Sequence, residues 1–340
     1  MKKHIRIGTR ESQLAVWQAE QVKSLLAQYS YSAELVYIKS EGDIDLKTPL
    51  YEMGVQGIFT KSLDIALLNG TIDIAVHSMK DVPTQLAKGI RQAAVLNRAS
   101  HKDVLVPHPD LGDIGKIFGR GIIEESHVTI SQEGSKIKKI RDIKDIDTGE
   151  KVAAIIATSS IRRKAQWLNR FPHHTIETLR GNVNTRLRKL KESNWHGAIF
   201  AKAGLERINL LPKNSIDLDW MLPAPAQGAI MVVCREDDDY CLNACINFND
   251  INTALCTKIE RDFLRTLLGG CSTPISGLAE IKNNEVHFSG NILSPNGKMI
   301  AGINASDLIA RAHDMGINAA NRLLASGGKA IAESIHNATK

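Results

Sequence analysis

Short apolar runs recur along this chain, each ending in a turn of small and basic residues that opens a helical pattern. His4-Ile5-Arg6-Ile7 passes through Gly8-Thr9-Arg10 into a helix from about Ser12, where Leu14, Trp17, Val22, Leu25 and Leu26 fall on one face. Ala33 to Lys39 reads as a second strand. Phe59 to Leu68 reads as a helix stopped at Asn69-Gly70. Ile72 to Val76 is a third strand, ending in His77-Ser78-Met79-Lys80-Asp81-Val82-Pro83. Strand, helix, strand at this spacing predicts a parallel sheet covered on both faces. The pattern restarts near Val152. Val152 to Ala157 runs into Thr158-Ser159-Ser160 and a helix from Ile161, and Thr175 to Leu179 runs into Arg180-Gly181-Asn182-Val183-Asn184 and a helix from Thr185. Gly197 to Ala201 then leads to a helix through Leu205. The middle repeats the architecture of the start without repeating its sequence, so two doubly wound α/β lobes are the economical reading.

Beyond residue 250 the character changes. Ala254 to Leu268 is helical and stops at Gly269-Gly270. Three β-type runs over 275–281, 285–292 and 298–303 follow, joined by Lys282-Asn283-Asn284 and Ser294-Pro295-Asn296-Gly297. Helical patterns over about 307–325 and 329–335 close the chain. This predicts a small C-terminal α+β domain with a three-stranded antiparallel sheet. Residues 108–151 are rich in Gly, Lys and Asp and weakly periodic, with one candidate strand at 127–130. They read as an insertion over about 110–150, where the two lobes should join.

Composition narrows the class of protein. A chain of 340 residues is too long for one core, and 43% hydrophobic with 24% charged residues argues against a disordered or fibrous chain. No run reaches the roughly 18 apolar residues of a membrane helix, and no signal-peptide pattern follows Met1. Five cysteines, an odd number, make no disulfide framework. A cytoplasmic protein without a membrane partner is therefore expected. The formal charge of +6 suits an anionic partner without naming one.

The informative feature is where the basic residues fall. Ligands of open α/β sheets bind beyond the carboxyl ends of the strands. That edge carries Arg10, then Ser78 and Lys80, then Thr158, Ser159, Ser160, Arg162 and Arg163, then Arg180, Asn182 and Arg186, with Arg207 one helical turn past the last strand. Backbone N–H groups in such turns attract anions, and guanidinium forks match carboxylates. Each turn taken alone also fits plain N-caps and solvated surface arginines. Four on one edge favour a ligand.

Two further residues have open roles. Asp81, beside Lys80, is either an ion-pair or cap residue or an acid that serves a cationic intermediate and moves protons. Cys271, in Gly269-Gly270-Cys271-Ser272-Thr273-Pro274, is either an inert buried thiol or a reactive one on a loop of small residues. Cys234, Cys241, Cys245 and Cys256 have no CxxC pair and no nearby histidine, which disfavours zinc. His173-His174 reads as a solvated turn, and Glu236 to Asp239 as an exposed acidic segment. Gly115, Gly119 and Gly121 follow no clear strand, so a dinucleotide fingerprint is unsupported, and no Walker A motif is present.

Taken in order, Ile7-Gly8-Thr9-Arg10-Glu11-Ser12, His77 to Pro83, Thr158-Ser159-Ser160-Ile161-Arg162-Arg163, Leu179-Arg180-Gly181-Asn182-Val183, Pro223 to Ala229 and Gly269-Gly270-Cys271 resemble the porphobilinogen deaminase, or hydroxymethylbilane synthase, family. The resemblance covers nearly the whole chain apart from about 110–150. It implies two periplasmic-binding-protein-like lobes, one of residues 1–102 and 226–246 and one of 103–225, the chain crossing back near Gln227. Residues 247–340 would then form a domain that anchors the cofactor. It implies a transferase of porphyrin and haem biosynthesis that condenses four porphobilinogen molecules into hydroxymethylbilane with loss of ammonia. The primer would be a dipyrromethane cofactor joined by a thioether to Cys271. It further implies Asp81 as the catalytic acid. The cofactor would be held by Ser78, Lys80, Asp81, Thr158, Ser159, Ser160, Arg162, Arg163, Gly181, Asn182 and Arg186, and the substrate by Arg10, Ser12, Gln18, Arg180, Arg186, Arg207 and Gln227. No metal, nucleic acid or membrane enters this reading, and a monomer is expected.

Three departures stand against the family pattern. Glu52-Met53-Gly54-Val55-Gln56-Gly57-Ile58-Phe59 lacks the basic residues that the family usually carries there. Ala157 replaces the usual glycine before Thr158. The third departure is the insertion. The rival from another class is a non-catalytic two-lobed binding protein for a small anion, in which Asp81 and Cys271 would have no purpose. A nucleic-acid binder is weaker, since aromatics are only 5% and the basic residues are confined to turns.

Overall fold

The computed structural model describes residues 4–39, 60–110, 153–267 and 273–338. Cys271, the Glu52–Gln56 segment and the predicted insertion beyond Asp110 lie outside the described residues.

The first half begins with strand β1 (Ile5–Thr9), helix α1 (Gln13–Gln28), β2 (Ala33–Tyr37), α2 (Lys61–Leu68), β3 (Ile74–Ser78) and β4 (Ile90–Val95). Ser12 starts α1 by accepting the Ala15 N–H on its hydroxyl. The helix then buries Gln18, Ala19, Val22 and Leu26, one helical face, against β1 and β3. The second half holds β5 (Asp103–Pro107), β6 (Ile155–Ala157), α3 (Ile161–Arg170), β7 (Thr175–Glu177), α4 (Val183–Lys191), β8 (Gly197–Ala201), α5 (Lys202–Glu206) and β9 (Ile216–Asp217). The remaining elements are β10 (Ile230–Arg235), α6 (Asp239–Ile246), α7 (Ile251–Leu267), β11 (Ile275–Lys282), β12 (Glu285–Leu293), β13 (Ile300–Leu308), α8 (Met315–Leu323) and α9 (Lys329–Ala338).

The first two sheets share one plan. Their strand orders are β2-β1-β3-β10-β4 and β7-β6-β8-β5-β9. In each, three strands run parallel and a fourth, supplied by the chain arriving from the other sheet, lies antiparallel to both neighbours. The strands expected to be parallel are so, and the antiparallel strand in each sheet is one the sequence reading did not pick out. A fully buried strand such as β5 shows an apolar run in either direction, so its sequence does not reveal its sense.

Two chain passages link these sheets and touch at Gly228, whose carbonyl accepts from the Ala99 N–H at 3.2 Å. Gly228 has φ of +88°, and a Cβ there would stand 2.6 Å from the Ala99 carbonyl oxygen. Only glycine fits that approach. Glu260 of α7, wholly buried, ties the crossing chain to the C-terminal unit. It takes Arg98 at 2.5 and 3.1 Å, the Ala226 N–H at 2.6 Å and the Ala279 N–H at 2.8 Å.

The third unit is an antiparallel meander, β11-β12-β13, packed on α7, α8 and α9. Phe263 and Phe288 meet edge to face at 4.9 Å in its core. The helix expected from about Asp307 begins later: β13 runs to Leu308, a 3₁₀ turn covers Ile309–Asp314, and only then does α8 form. The pairing of β13 with β12, nine residues long, wins over local helix propensity.

Candidate functional site

The carboxyl ends of β1, β3, β7 and β8 face one cleft between the two sheets, with a volume of about 230 Å³. Each wall follows from local chain chemistry. After β1 the chain turns through Arg10 to the Ser12 cap. After β3 it closes a 3₁₀ turn at Met79–Asp81, anchored by Met79 N–H on the Ala229 carbonyl at 3.1 Å. After β7 it turns at Gly181, with φ of +113°, and Asn182 caps α4 by accepting the Thr185 N–H at 2.9 Å.

Of the residues expected here, the cleft is lined by Arg10, Ser12, Gln18, Ser78, Lys80, Asp81, Arg163, Arg180, Gly181, Asn182, Arg186 and Arg207. Asp81 is the one carboxylate among its described lining residues. Gln18 donates to the Ser78 hydroxyl at 2.9 Å, which fixes both side chains. Arg186 uses Nε on the Gly181 carbonyl at 2.7 Å, which locks the guanidinium plane beside the turn. Arg207 donates to the Gly228 carbonyl at 2.7 Å and lies over the Trp17 ring at 5.5 Å.

Crowded cations in a closed space lose proton affinity. Burial lowers Lys80 to about 8, against the opposing pull of Asp81, and the charges of Arg163 and Arg162 lower it further. Burial likewise lowers Arg186 to about 10, with Arg163 adding to it and Asp81 opposing. Arg207 falls to about 10 through burial. An anionic ligand would relieve all three.

Several expected site residues stand elsewhere. The Arg162 guanidinium is 3% exposed and points away from the cleft, donating to Asp103 and to the Leu222 carbonyl, each at 2.6 Å. Arg163 touches the cleft, but its donors go to Asp103 at 2.8 and 3.1 Å and to the Ile199 carbonyl at 2.9 Å. Burial alone would raise the Asp103 carboxyl, yet the two guanidiniums and the Gln227 amide outweigh it and hold it at about 2. Gln227 is buried against the crossing chain, donating to Asp103 at 2.8 Å and to the His101 carbonyl at 2.8 Å. Thr158 accepts the Ser160 N–H at 3.2 Å, Ser159 donates to the Leu179 carbonyl at 2.6 Å, and Ser160 caps α3. These six side chains hold the second sheet, its helix and the crossing chain in place.

Two sequence readings outside the cleft also change. His174 is half-buried, stacked on Phe171 at 5.0 Å and accepting from the Trp167 indole at 3.1 Å, and burial lowers it to about 4. Asp238 is buried as the cap of α6, bonded to the Cys241 N–H at 2.9 Å, while Glu236, Asp237 and Asp239 are exposed. The four described cysteines, Cys234, Cys241, Cys245 and Cys256, are buried free thiols.

Three participants escaped the sequence reading. His77 lines the cleft and is 6% exposed, lowered to about 4 by burial and the Arg10 charge, so it is neutral. Gln13 and Asn184 meet across the cleft mouth at 2.9 Å. His77 and Asn184 sit inside turns already singled out for their basic residues; Gln13 had no such signal.

Comparison with known proteins finds relatives over nearly the whole chain. A family profile described as "Porphobilinogen deaminase, dipyromethane cofactor binding domain" matches residues 5–243, and "Porphobilinogen deaminase, C-terminal domain" matches 254–325. A porphobilinogen deaminase of Trichlorobacter lovleyi is 37% identical over 338 residues, 98% of this chain and 97% of its own. One of Desulforamulus reducens is 35% identical over 339 residues, 98% of this chain and 99% of its own. Among solved structures, a methionine-binding protein overlaps with a TM-score of 0.39 at 15% identity, covering 72% of this chain and 89% of that one.

Proposed function

Since the chain belongs to the porphobilinogen deaminase family, we propose that it condenses four porphobilinogen molecules head to tail into hydroxymethylbilane, releasing ammonia at each addition. The observation that carries this reading is the composition of the cleft: Arg10, Lys80, Arg163, Arg180, Arg186 and Arg207 surround a single described carboxylate, Asp81. Porphobilinogen bears an acetate and a propionate, so each addition brings two more carboxylates to be neutralised. Guanidiniums answer that need bidentately, and their lowered proton affinities mark a space poised for anions.

The donor set fits a dipyrromethane, which is itself a polycarboxylate. Lys80, Arg180, Arg186 and the Asn182 turn would hold its carboxylates, and Cys271 would hold its end through sulfur. When bound, that group supplies the free pyrrole α-carbon that begins the chain. Arg10, Ser12, Gln18 and Arg207 line the first-lobe and hinge side of the same space and would orient incoming substrate. Loss of ammonia from porphobilinogen develops positive charge on a pyrrole ring, which the surrounding cations oppose. Asp81 offsets it, accepting the pyrrole N–H and exchanging its proton. His77, neutral beside Arg10, keeps a further positive charge out of the site.

The division of labour follows the sheets. Residues 1–102 with 226–246 and residues 103–225 form the cleft-bearing lobes, and 247–340 carry the anchoring cysteine. Among the described residues no helix is long and apolar enough to cross a membrane. We read the protein as a cytoplasmic monomer without nucleic-acid partners; its four described free thiols suit a reducing compartment. The test is incubation with porphobilinogen while substrate loss and ammonia release are followed together. One ammonia per porphobilinogen consumed supports the reading, whereas binding without ammonia release would make this a binding protein.

A further inference from the structure

The 3₁₀ turn that presents Lys80 and Asp81 has little to hold it from within: its closing bond is Val82 N–H to the Met79 carbonyl at 3.1 Å. Three carbonyls of this segment instead converge on one side chain from another part of the molecule. Arg261 of α7 donates to Val82 O at 2.9 Å and Met79 O at 3.3 Å through one nitrogen, and to Pro83 O at 2.6 Å through the other. The guanidinium is 9% exposed, and Met79 and Val82 are each 2% exposed, so these bonds form away from water. A buried carbonyl stripped of its donor has no solvent to replace it.

We propose that Arg261 is a positioning residue for Asp81 and Lys80, fixing their turn relative to the helix that leads to Cys271. This deepens the function proposed above and rests on it. Arg261 is not among the described residues that line the cleft, so it acts on the reaction through the turn. Its neighbour Glu260 clamps Arg98 and Ala226 at the crossing chain. One helical step thus registers both the hinge and the acid-bearing turn against α7. Lysine cannot reproduce this clamp, because a single ammonium lacks the planar fork that spans separate carbonyls.

The test uses Arg261→Lys and Arg261→Ala in the full chain. Hydrogen exchange of the peptide covering 79–83 is expected to accelerate in both, while exchange in β12 stays unchanged. Intact mass is expected to show cofactor attachment retained in Arg261→Lys, with kcat reduced about 10- to 100-fold and KM within about threefold, the mark of a displaced group rather than lost binding. Guanidinium ion at millimolar concentration is expected to restore part of the kcat of Arg261→Ala, and sodium chloride of equal ionic strength is not. If Arg261→Ala does not fold, Arg261→Lys alone decides. Unchanged exchange at 79–83, or an unchanged kcat in Arg261→Lys, overturns the assignment. A wild-type chain that consumes no porphobilinogen refutes the function itself, and the exchange measurement still reports whether Arg261 holds the turn.

Discussion

Asn184 Nδ2 lies 2.9 Å from Gln13 Oε1, so the first turns of α4 and α1 touch across the cleft mouth although 171 positions separate the two residues. Both side chains are exposed, so the bond contributes little to stability, yet it spans the two sheets where a lengthening product must be accommodated. Asn184→Ala is expected to change unfolding free energy by less than about 1 kcal/mol while enlarging the radius of gyration seen by X-ray scattering. Identical scattering from the two proteins would show that this contact does not restrain the lobes.

Asp81→Asn keeps the shape of an exposed side chain and removes its charge and its proton-accepting capacity. Melting temperature is expected to stay within about 2 °C. Porphobilinogen turnover is expected to fall by about 100-fold or more. Turnover close to wild type would remove Asp81 from the chemistry.

The hinge predicts a pH-dependent stability. Asp103 is wholly buried and held at about 2 in the folded chain, against an ordinary value of 3.8. Because the folded value is the lower one, its stabilising contribution is present above about 3.8 and is lost as pH falls toward 2. The contribution is of order 2 kcal/mol, measurable as a fall in denaturation midpoint over that window, and absent in Asp103→Asn. Asp103→Asn should cost about 3–5 kcal/mol, since it leaves the buried Arg162 and Arg163 guanidiniums without their carboxylate. Arg162→Leu should cost less, about 1–3 kcal/mol, because Arg163 and Gln227 still hold Asp103. Arg162→Leu therefore acts on folding before it acts on ligand binding.

Lys80 predicts an alkaline limit. Its value of about 8 lies below the ordinary 10.5, so it loses its charge as pH rises through 8 while most lysines remain protonated. KM for porphobilinogen is expected to rise above that pH, and Lys80→Met should raise KM at neutral pH and flatten the rise. Stability moves the other way. The unfolded chain holds this proton over the window from 8 to 10.5 and the folded chain does not, so this group favours folding increasingly as pH climbs. An alkaline KM profile identical in Lys80→Met would assign the limit to another group.

The sequence was legible where local chemistry decides the outcome. Ser12, Ser160 and Asn182 announce their helices because a cap needs only the next three residues. The cationic edge was legible because strand-to-helix turns place their residues there in any such sheet. What the sequence hid depends on distant partners. Arg162 and Arg163 are neighbours on α3, and nothing in their order indicates that both find Asp103, 59 and 60 positions away. Helical geometry turns adjacent residues about 100° apart, yet long side chains can converge again on one carboxylate. Strands β5 and β10 were not picked out at all, and their antiparallel senses were hidden likewise, because the path between the sheets sets them. His174 looked solvated because its stacking partners Phe171 and Trp167 meet it only once α3 has ended.

The decisive measurement is the intact mass of the purified chain beside that of Cys271→Ser. A polycarboxylate held among the cleft cations and joined to sulfur predicts a wild-type mass above the sequence mass by one dipyrromethane, and a Cys271→Ser mass equal to its sequence. Both proteins at their sequence masses, with the wild type still converting porphobilinogen to hydroxymethylbilane, would contradict it.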